Sequence, residues 1–494
     1  NSDGASQALQ AWDMMHGNLL LRGWRLSDVS FYTTELPQYM LVELVRGLHA
    51  DVVHVAAAMT YTLAMLLAAL LAKGTATGRE ALLRVLLAAG IMLAPQLGSG
   101  VNILVSSPDH IGTSVPVMAT WLILDRARQH WSVPLLAGVL LGWTAVGDPL
   151  ALYIGVLPLV LVSAVRAGRA VLADHQPLRA QRYDLALGAA ALAGGAASLL
   201  ALHLIQAYGG FYTPSPVTRL AASGAIVLHH LRIAGEGLLL LGGADFLHHP
   251  LGAGGAVLVL HLAGVLLAAW GVWLAIRRFP RDADRVTQLL VTGVLINLAA
   301  YVISTQAGRI TSTREIGAVL PLAAALAGRL VAGWLLTARP LGGRLKAAWL
   351  IPVLAVVAAG YLAGLGQEIS QPPAPAQDQR LTSWLAARHL RTGLSGFWEA
   401  NVVTLASGGQ VRIRPVTLAA GGRIGPGRWE SNTAWYDPRR SRATFVVLFP
   451  GVPGYQGFTS ARQVLAAFGR PARSYRVGAY RVLVWDKNLL TEPR

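Results

Sequence analysis

Ten apolar segments, each long enough or nearly long enough to cross a lipid bilayer, run from Val52 to Leu365. A bilayer's hydrocarbon core takes roughly 20 helical residues to cross, and only self-satisfied backbone survives there, so these segments are predicted to be helices. With 54% hydrophobic and 13% charged residues, the chain is too apolar for a soluble domain. We therefore predict an all-α polytopic membrane domain over residues 52–366. The ten segments are Val52 to Leu71, Ala81 to Leu97, Ile111 to Leu124, Val133 to Val146, Pro149 to Val165, Leu185 to Ala207, Leu251 to Ile276, Val286 to Ile303, Ile316 to Leu336 and Ala347 to Leu365.

Arg and Lys residues concentrate in every second connection between these segments. Two of the alternate connections, Gly98 to His110 and Gly147 to Asp148, contain neither residue type. By the positive-inside rule the basic connections are cytoplasmic, which places residues 1–51 and everything after Leu365 outside a plasma membrane. An external start predicts a further helix upstream of Asn1, which would give about eleven spans in the intact protein. The basic connections contain Lys73, Arg79 and Arg84; Arg126 and Arg128; Arg166, Arg169, Arg179 and Arg182; Arg277, Arg278, Arg281 and Arg285; and Arg339, Arg344 and Lys346.

Three stretches outside the predicted spans have one apolar and one polar helical face. Ala5 to His16 and Gln38 to His49 lie in the first segment, and Val217 to Leu240 lies in a later external connection. Helices of this kind lie along a membrane surface. Residues 1–51 are therefore predicted to be an external loop folded as surface helices.

The tail has a different composition. A Pro-rich stretch, QPPAPAQD, predicts a linker over residues 367–379, and alternating and helical patterns after it predict a small external α+β domain at 380–494. The predicted elements are a helix at Leu381 to Leu390, a hairpin of VVTL and QVRIRPV around SGG, a strand at TFVVLF, a helix at Ser460 to Phe468 ended by Gly469, and a hairpin at YRVGAYRVLVW.

The tail also combines basic charge with aromatic side chains. From Gln367 onward it has 17 Arg and Lys against 7 Asp and Glu, so it carries +10 of the chain's net +17. Such an excess of positive charge suits binding to anionic membrane lipid headgroups or phosphates. The alternative is that it reflects a bias in amino-acid usage throughout the chain. Four tail residues, Trp398, Glu399, Trp429 and Trp435, are of the types that stack on and hydrogen-bond sugars, although such residues also fill small cores.

Five acidic residues stand at predicted external helix ends: Asp3, Glu35, Asp109, Asp148 and Glu315. Charges beside hydrocarbon are costly and are usually kept for function, so these are the candidate site acids. The alternative for each is a helix cap or a solvated turn, and that alternative is strongest for Asp148, which precedes a proline.

Several kinds of chemistry are disfavoured. Zero Cys excludes a disulfide or a thiol nucleophile. Adjacent histidines, as at His229 and His230, would point about 100° apart on a helix and chelate poorly. No cofactor is therefore expected, with a divalent metal kept as the alternative. No GxxxxGK[ST] phosphate loop is present and no cytoplasmic connection exceeds about 20 residues, which argues against a nucleotide-sugar domain. Nucleic acid is not an expected partner.

Several motifs carry a resemblance to a known superfamily. NSDGASQALQAWDMMHGN and SFYTTELPQY occupy the first external loop, STREIGAVLP precedes a late span, and SGFWEANVVTL, RWESNTAWYDP and YRVLVWDKNLL lie in the tail. With the span pattern, they resemble the GT-C superfamily of integral-membrane glycosyltransferases, of the protein mannosyltransferase and lipid A aminoarabinose transferase type. The tail looks like the terminal domain of actinobacterial members.

The resemblance implies an enzyme that moves a hexosyl or pentosyl group from a polyprenyl-phosphate donor to a hydroxyl of a lipid, glycan or protein. It makes Asp3 the catalytic acid-base residue, with Asp109 as the second candidate. A carboxylate suits the removal of the acceptor proton. Arg314 would hold the donor phosphate with help from Arg309 and His110, because a guanidinium offsets phosphate charge by paired hydrogen bonds.

Two other classes of function stay open. A transporter or lipid flippase would also have many spans, but paired charges near the bilayer midplane, broken helices and internal repeats are not visible in the sequence. A non-catalytic protein that keeps the transferase architecture would have the same pattern of spans and loops. A transfer assay distinguishes all three.

Overall fold

The computed structural model describes residues 1–93, 100–214, 218–246, 253–279, 284–337, 378–418, 424–449 and 460–491, with scattered positions between 359 and 372. Within these ranges the chain is mostly helical and has a small sheet near its end. The helices are α1 Ser2–Met15, α2 Leu36–Arg46, α3 Val52–Lys73, α4 Gly78–Leu93, α5 Val101–Leu104, α6 Ile111–Arg126, α7 Ser132–Gly147, α8 Leu157–Leu172, α9 Arg182–Ala207, α10 Gly224–Leu241, α11 Ala253–Arg278, α12 Arg285–Ile303, α13 Val319–Thr337, α14 Gln379–Ala387, α15 Phe397–Ala406 and α16 Ala461–Phe468. The strands are β1 Trp24–Arg25, β2 Thr392–Ser395, β3 Arg412–Leu418, β4 Ile424–Pro426, β5 Ser431–Asn432, β6 Phe445–Leu448, β7 Arg473–Val477 and β8 Tyr480–Val484.

Nine of the ten predicted spans coincide with helices, namely α3, α4, α6 to α9 and α11 to α13. The tenth, Ala347 to Leu365, falls almost wholly outside the described residues. Six helical stretches in the described ranges are long and apolar enough to cross a membrane. The chain is therefore a membrane protein, while its number of spans stays a prediction. The six are Val52–Lys73, Leu152–Leu172, Leu178–Ala207, Gly224–Leu241, Arg285–Ile303 and Val319–Leu336.

Small residues let the membrane helices approach closely. A Cβ at Gly138 of α7 would lie 2.5 Å from the carbonyl oxygen of Ala190, and one at Gly194 of α9 would lie 2.1 Å from the carbonyl oxygen of Gly138. Apolar side chains give helices little reason to associate inside a lipid solvent, so close backbone contact supplies the attraction instead. The Gly- and Ala-rich sequence of α9 is explained by this contact with α7.

One end of the bundle, which we call the Arg329 end, is fastened by ion pairs. The Arg329 guanidinium Nη2 lies 2.9 Å from the Asp125 carboxylate and 2.8 Å from that of Asp284, and Nη1 donates to the carbonyl oxygen of Leu71. Nearby, Arg285 pairs with Asp184 at 2.6 Å. These contacts connect α13 to α3, to the end of α6 and to the start of α12, so the charge on Arg329 is neutralised locally.

The helix α10 overlaps the stretch predicted to be amphipathic and external. It is long and apolar enough to span a membrane. Its described contacts lie at the end of the bundle opposite Arg329, where His230 Nδ1 is 2.9 Å from the carbonyl oxygen of Val302 and Gly237 lies against Thr313. Thr313 belongs to a 3₁₀-helical segment, Ile310–Ile316, which leads into α13.

The tail forms a mixed sheet with strand order β4-β3-β2-β6-β8-β7. The predicted strand at β6, the β7–β8 hairpin and the helix ended by Gly469 are present. The predicted hairpin of VVTL with QVRIRPV is wrong, because VVTL belongs to α15 and only Arg412–Leu418 is extended. Strands β2 and β3 pair in parallel, and parallel neighbours need a crossover such as α15 rather than a short turn.

The first segment and the tail pack against each other. Strand β1 pairs with β5, with Trp24 opposite Asn432, and the Ser2 hydroxyl donates to the carbonyl oxygen of Phe397 at 2.6 Å. The tail covers the polar face of α1, so Ser6 and Gln10 are buried there rather than solvated. By contrast, α2 leaves a row of apolar side chains exposed, as expected of a helix at a membrane surface: Leu41, Leu44 and Val45.

Candidate active site

A cavity of about 670 Å³ lies where the first segment, the bundle and the tail meet. We call this end of the bundle the cavity end; it is the end opposite Arg329. Eight of the sequence-predicted residues line it: Asp3, Asp109, His110, Asp148, Arg314, Glu315, Trp398 and Trp429. Glu35, Arg309, Glu399 and Trp435 are not among its lining residues.

Asp3 and Asp109 are brought together by α1. The Asn1 side chain caps this helix by accepting from the backbone N–H groups of Asp3 and Gly4, which fixes Asp3 in the first turn. One turn later, Gln7 donates to Asp109 Oδ1 at 2.7 Å, and Ser107 donates to Asp109 Oδ2 at 2.7 Å. Both oxygens of Asp109 therefore accept a hydrogen bond, which holds its carboxylate in place.

The environment of Asp3 suits a proton acceptor. Burial raises the pKa of Asp3 above its usual value, and the negative charge of Asp109 raises it further against the opposing charge of Arg314. A carboxylate with a raised pKa is a stronger base once it has ionised.

Arg314 projects from the 3₁₀ segment towards these acids. Its Nη1 lies 3.6 Å from Asp3 Oδ2 and 3.9 Å from Asp109 Oδ2, and its Nε lies 3.9 Å from Glu315 Oε1. All three distances exceed normal hydrogen-bond lengths, and the side chain is 45% exposed. The guanidinium is thus held near negative charge while its donors still face the cavity.

His110 is clamped between two carboxylates. Its Nδ1 lies 2.9 Å from Asp148 Oδ2 and its Nε2 lies 3.3 Å from Glu315 Oε1. Burial alone would lower the pKa of His110, but the charges of Glu315 and Asp148 outweigh it and raise that pKa well above its usual value. The imidazolium in turn lowers the pKa of Glu315 against the effect of burial. The clamp joins the start of α6, the turn before α8 and the 3₁₀ segment.

Glu35 lies behind the cavity rather than in its wall. Its side chain is fully buried against Gly112, where an added Cβ would meet Oε1 at 2.4 Å, and the Thr34 hydroxyl donates to Oε2. Burial, with the nearby charge of Asp148, raises the pKa of Glu35 well above its usual value. The raised pKa favours the protonated form of Glu35. Arg309 precedes the 3₁₀ segment, where its carbonyl oxygen accepts from Ser312 at 2.6 Å.

The tail supplies the aromatic wall of the cavity. Trp398 and Trp429 are 44% and 43% exposed, so their ring faces are accessible. Trp435 instead stacks with the Arg414 guanidinium at 4.1 Å and meets Trp24 edge-on at 4.9 Å. Glu399 is buried on α15, and burial raises its pKa to about 8.

Sequence reasoning did not select several residues that line the cavity. Glu430 is the most informative of these, since it is a buried carboxyl of the tail that faces the acids of the first segment. Tyr301 and Asn297 of α12 also line the cavity, and Tyr301 hydrogen-bonds the Ser312 hydroxyl at 2.9 Å. The pairing of β1 with β5 brings Glu430 here, and two-residue strands leave no readable sequence pattern.

No group of three or more His, Asp or Glu side chains in the described part of the chain is arranged to hold a metal ion. Arg314 occupies the space between the acids instead.

Comparison with known proteins shows weak structural similarity. No protein-family model matches the chain, and no curated protein matches it. Two solved structures of an Archaeoglobus fulgidus oligosaccharyltransferase are similar to it, one in the apo form and one, named AglB, in complex with an inhibitory peptide and a dolichol-phosphate. Each is 11% identical with a TM-score of 0.46, and the match covers 90% of this chain but 65% of the archaeal chain. Neither likeness is strong enough to assign a fold or a function.

Proposed function

We propose that this protein is a membrane glycosyltransferase of the GT-C type. It moves a sugar from a polyprenyl-phosphate donor to a hydroxyl of a lipid, glycan or protein acceptor, on the external face of the plasma membrane. The proposal rests mainly on one observation: two carboxylates, Asp3 and Asp109, face the Arg314 guanidinium in a single cavity at one end of an apolar helix bundle.

Asp3 is the proposed catalytic base. It removes the proton of the acceptor hydroxyl as that oxygen attacks the anomeric carbon of the donor sugar. Asp109 is less suited to this role, because Gln7 and Ser107 already donate to its two oxygens. We propose that Asp109 instead positions Arg314 and, with it, the donor.

Arg314 is the proposed ligand of the donor phosphate. The leaving polyprenyl phosphate gains negative charge as the sugar departs, and a guanidinium can offset that charge with two parallel hydrogen bonds. His110 contributes through Glu315, which it holds next to Arg314. Arg309 lies outside the cavity wall and would act only through long-range charge.

The cavity also has an apolar side that suits a lipid-linked donor. Leu150 and Tyr153, in the residues that lead into α8, and Ala300 of α12 line it. These residues belong to predicted membrane spans, whereas Trp398 and Trp429 come from the tail. A lipid chain would therefore lie against these bundle residues, and the acceptor would approach from the tail side.

The test is transfer of radiolabelled sugar from a panel of polyprenyl-phosphate donors by full-length protein in membranes. We expect product with the wild type and a loss of about 10²- to 10⁴-fold with Asp3→Asn. A matched control is Asp486→Asn, since that carboxylate is exposed on the tail. Undiminished transfer by Asp3→Asn would show that the base lies elsewhere, with Asp109 tested next. No product from the wild type across the panel would favour the transport or non-catalytic functions.

A further inference from the structure

Glu430 of the tail lies near an acid of the first segment and an acid of the bundle. It lines the same cavity as Asp3 and Asp109, yet only 3% of its surface is exposed. Its Oε2 finds no hydrogen-bond partner within the described ranges. A buried carboxyl oxygen left unpaired costs folding free energy, so its retention at a cavity wall needs an explanation.

The backbone around Glu430 is held from both sides. Strand β5 begins at the next residue and pairs with β1, and the Ser6 hydroxyl of α1 donates to the carbonyl oxygen of Glu430 at 3.3 Å. Glu430 itself has φ +46°, a left-handed conformation that a non-glycine residue rarely adopts. A strained conformation persists only where the surroundings fix it, and here they fix the direction of one carboxyl group.

Burial and the charge of its neighbours both affect the protonation of Glu430. Burial raises the pKa of Glu430 well above its usual value, and the negative charges of Asp3 and Asp109 raise it further against the opposing charge of Arg314. The raised pKa favours the protonated carboxyl group, which has an O–H donor as well as an acceptor oxygen. Neighbouring Trp429 presents an exposed ring face to the same cavity.

We propose that Glu430 binds the acceptor, and that the acceptor is a carbohydrate whose ring stacks on Trp429 while one of its hydroxyl groups hydrogen-bonds the Glu430 carboxyl. An aromatic face beside a hydrogen-bonding acid fits a ring with an apolar face and a polar edge. Trp429 and Glu430 both come from the tail, whereas the apolar lining residues come from α12 and from the segment that leads into α8. This inference rests on the proposed function and adds the class of acceptor and a residue that selects it.

Direct binding tests the inference without requiring catalysis. Full-length protein in nanodiscs is titrated with tetrasaccharides of mannose, glucose, galactose and arabinose, and quenching of tryptophan fluorescence gives the dissociation constant. We expect at least one of these probes to bind the wild type. Glu430→Gln keeps a donor and an acceptor in place and should bind within about threefold of wild type, whereas Glu430→Met should bind about tenfold more weakly. The matched control, Glu399→Met, changes another buried acid of the tail that does not line the cavity, and it should leave binding unchanged.

A second measurement covers the case in which Glu430→Met fails to fold. Raising the pH should weaken binding to the wild type as Glu430 loses its proton, but should not weaken binding to Glu430→Gln. Equal affinity of all variants, or no binding of any tetrasaccharide to the wild type, would overturn the inference. The proposed function would survive that result if labelled sugar were still transferred to a lipid or a peptide. Conversely, if carbohydrate binding depended on Glu430 but no sugar were transferred, the proposed function would be overturned and Glu430 would remain a carbohydrate-binding residue.

Discussion

The two ends of the helix bundle treat buried charge differently. At the Arg329 end, the guanidinium contacts the Asp125 and Asp284 carboxylates within 3 Å. At the cavity end, His110 is also held tightly, at 2.9 Å from Asp148, but Arg314 stays 3.6 Å or more from its acids. Glu430 has an oxygen that finds no partner among the described residues. Tightly paired charges stabilise a fold, whereas loosely paired ones retain the capacity to bind something else. Arg314 and Glu430 are therefore the charged groups for which we propose a role in binding, whereas Arg329 has a structural role.

The largest expected effect on stability is at the Arg329 end. Arg329→Met leaves the Asp125 and Asp284 carboxylates without their shared cation, and removing one partner of a buried ion pair costs about 3 kcal/mol or more. Thermal unfolding in detergent should show a midpoint lowered by several degrees. Transfer per folded molecule should stay close to wild type. If Arg329→Met were as stable as the wild type but transferred less sugar, the proposed difference between a structural end and a binding end of the bundle would be wrong.

A smaller effect, on transfer rather than on stability, is expected for Arg314→Lys. The ammonium keeps the charge but cannot make two parallel hydrogen bonds to a phosphate, so transfer should fall roughly tenfold to a hundredfold. The unfolding midpoint should change little because the native contacts of Arg314 are long. The decisive comparison is the ratio of transfer rate to folded fraction for Arg314→Lys and Arg329→Met, measured side by side.

The smallest expected effect concerns Glu43 of α2, whose two carboxyl oxygens are buried and have no hydrogen-bond partner in the part of the chain that the structure describes. Burial raises the pKa of Glu43 from 4.5 to about 9. The native state therefore binds one more proton than the unfolded state between these values, so stability falls as the pH rises from about 4.5 to about 9. Glu43→Gln should remove this contribution.

The measurement for Glu43 is the unfolding midpoint of wild type and Glu43→Gln at several values of pH. The two should be similar near pH 4.5, and the variant should become progressively more stable than the wild type as the pH rises towards 8. A difference that stays constant with pH would show that Glu43 is ionised, and hence solvated, in the native protein.

Much of the bundle could be predicted from the sequence, since a bilayer permits few backbone structures. Nine of the ten apolar segments are helices, because length and hydropathy alone determine that outcome. The tail was harder to predict. VVTL has strand-like composition, yet Val403 and Ala400 are buried on one face of α15 as it crosses the sheet. Tertiary packing determined the structure of that segment, and its β propensity did not.

The site was predictable only in part, because tertiary contacts bring some of its residues together. Asp3 and Asp109 stand beside predicted helix ends, so positional arguments could select them, and Arg314 was selected through the family resemblance. Glu430 reaches the cavity only through the β1–β5 pairing and a left-handed backbone. Local sequence does not reveal either feature. The role of each of these residues stays a prediction until the variants are measured.

The contact between the first segment and the tail has a consequence for how the protein is made. The Asn432 side chain donates to the carbonyl oxygen of Arg22, 410 residues earlier in the chain. At a synthesis rate of roughly 5 to 20 residues per second, Arg22 waits on the order of 20 to 80 seconds for this partner. During that time the polar face of α1, with Asp3 and Ser6, has no tail to cover it. Completion of the cavity therefore follows synthesis of the whole bundle, and a ribosome that stops before the tail leaves a membrane bundle without a finished site.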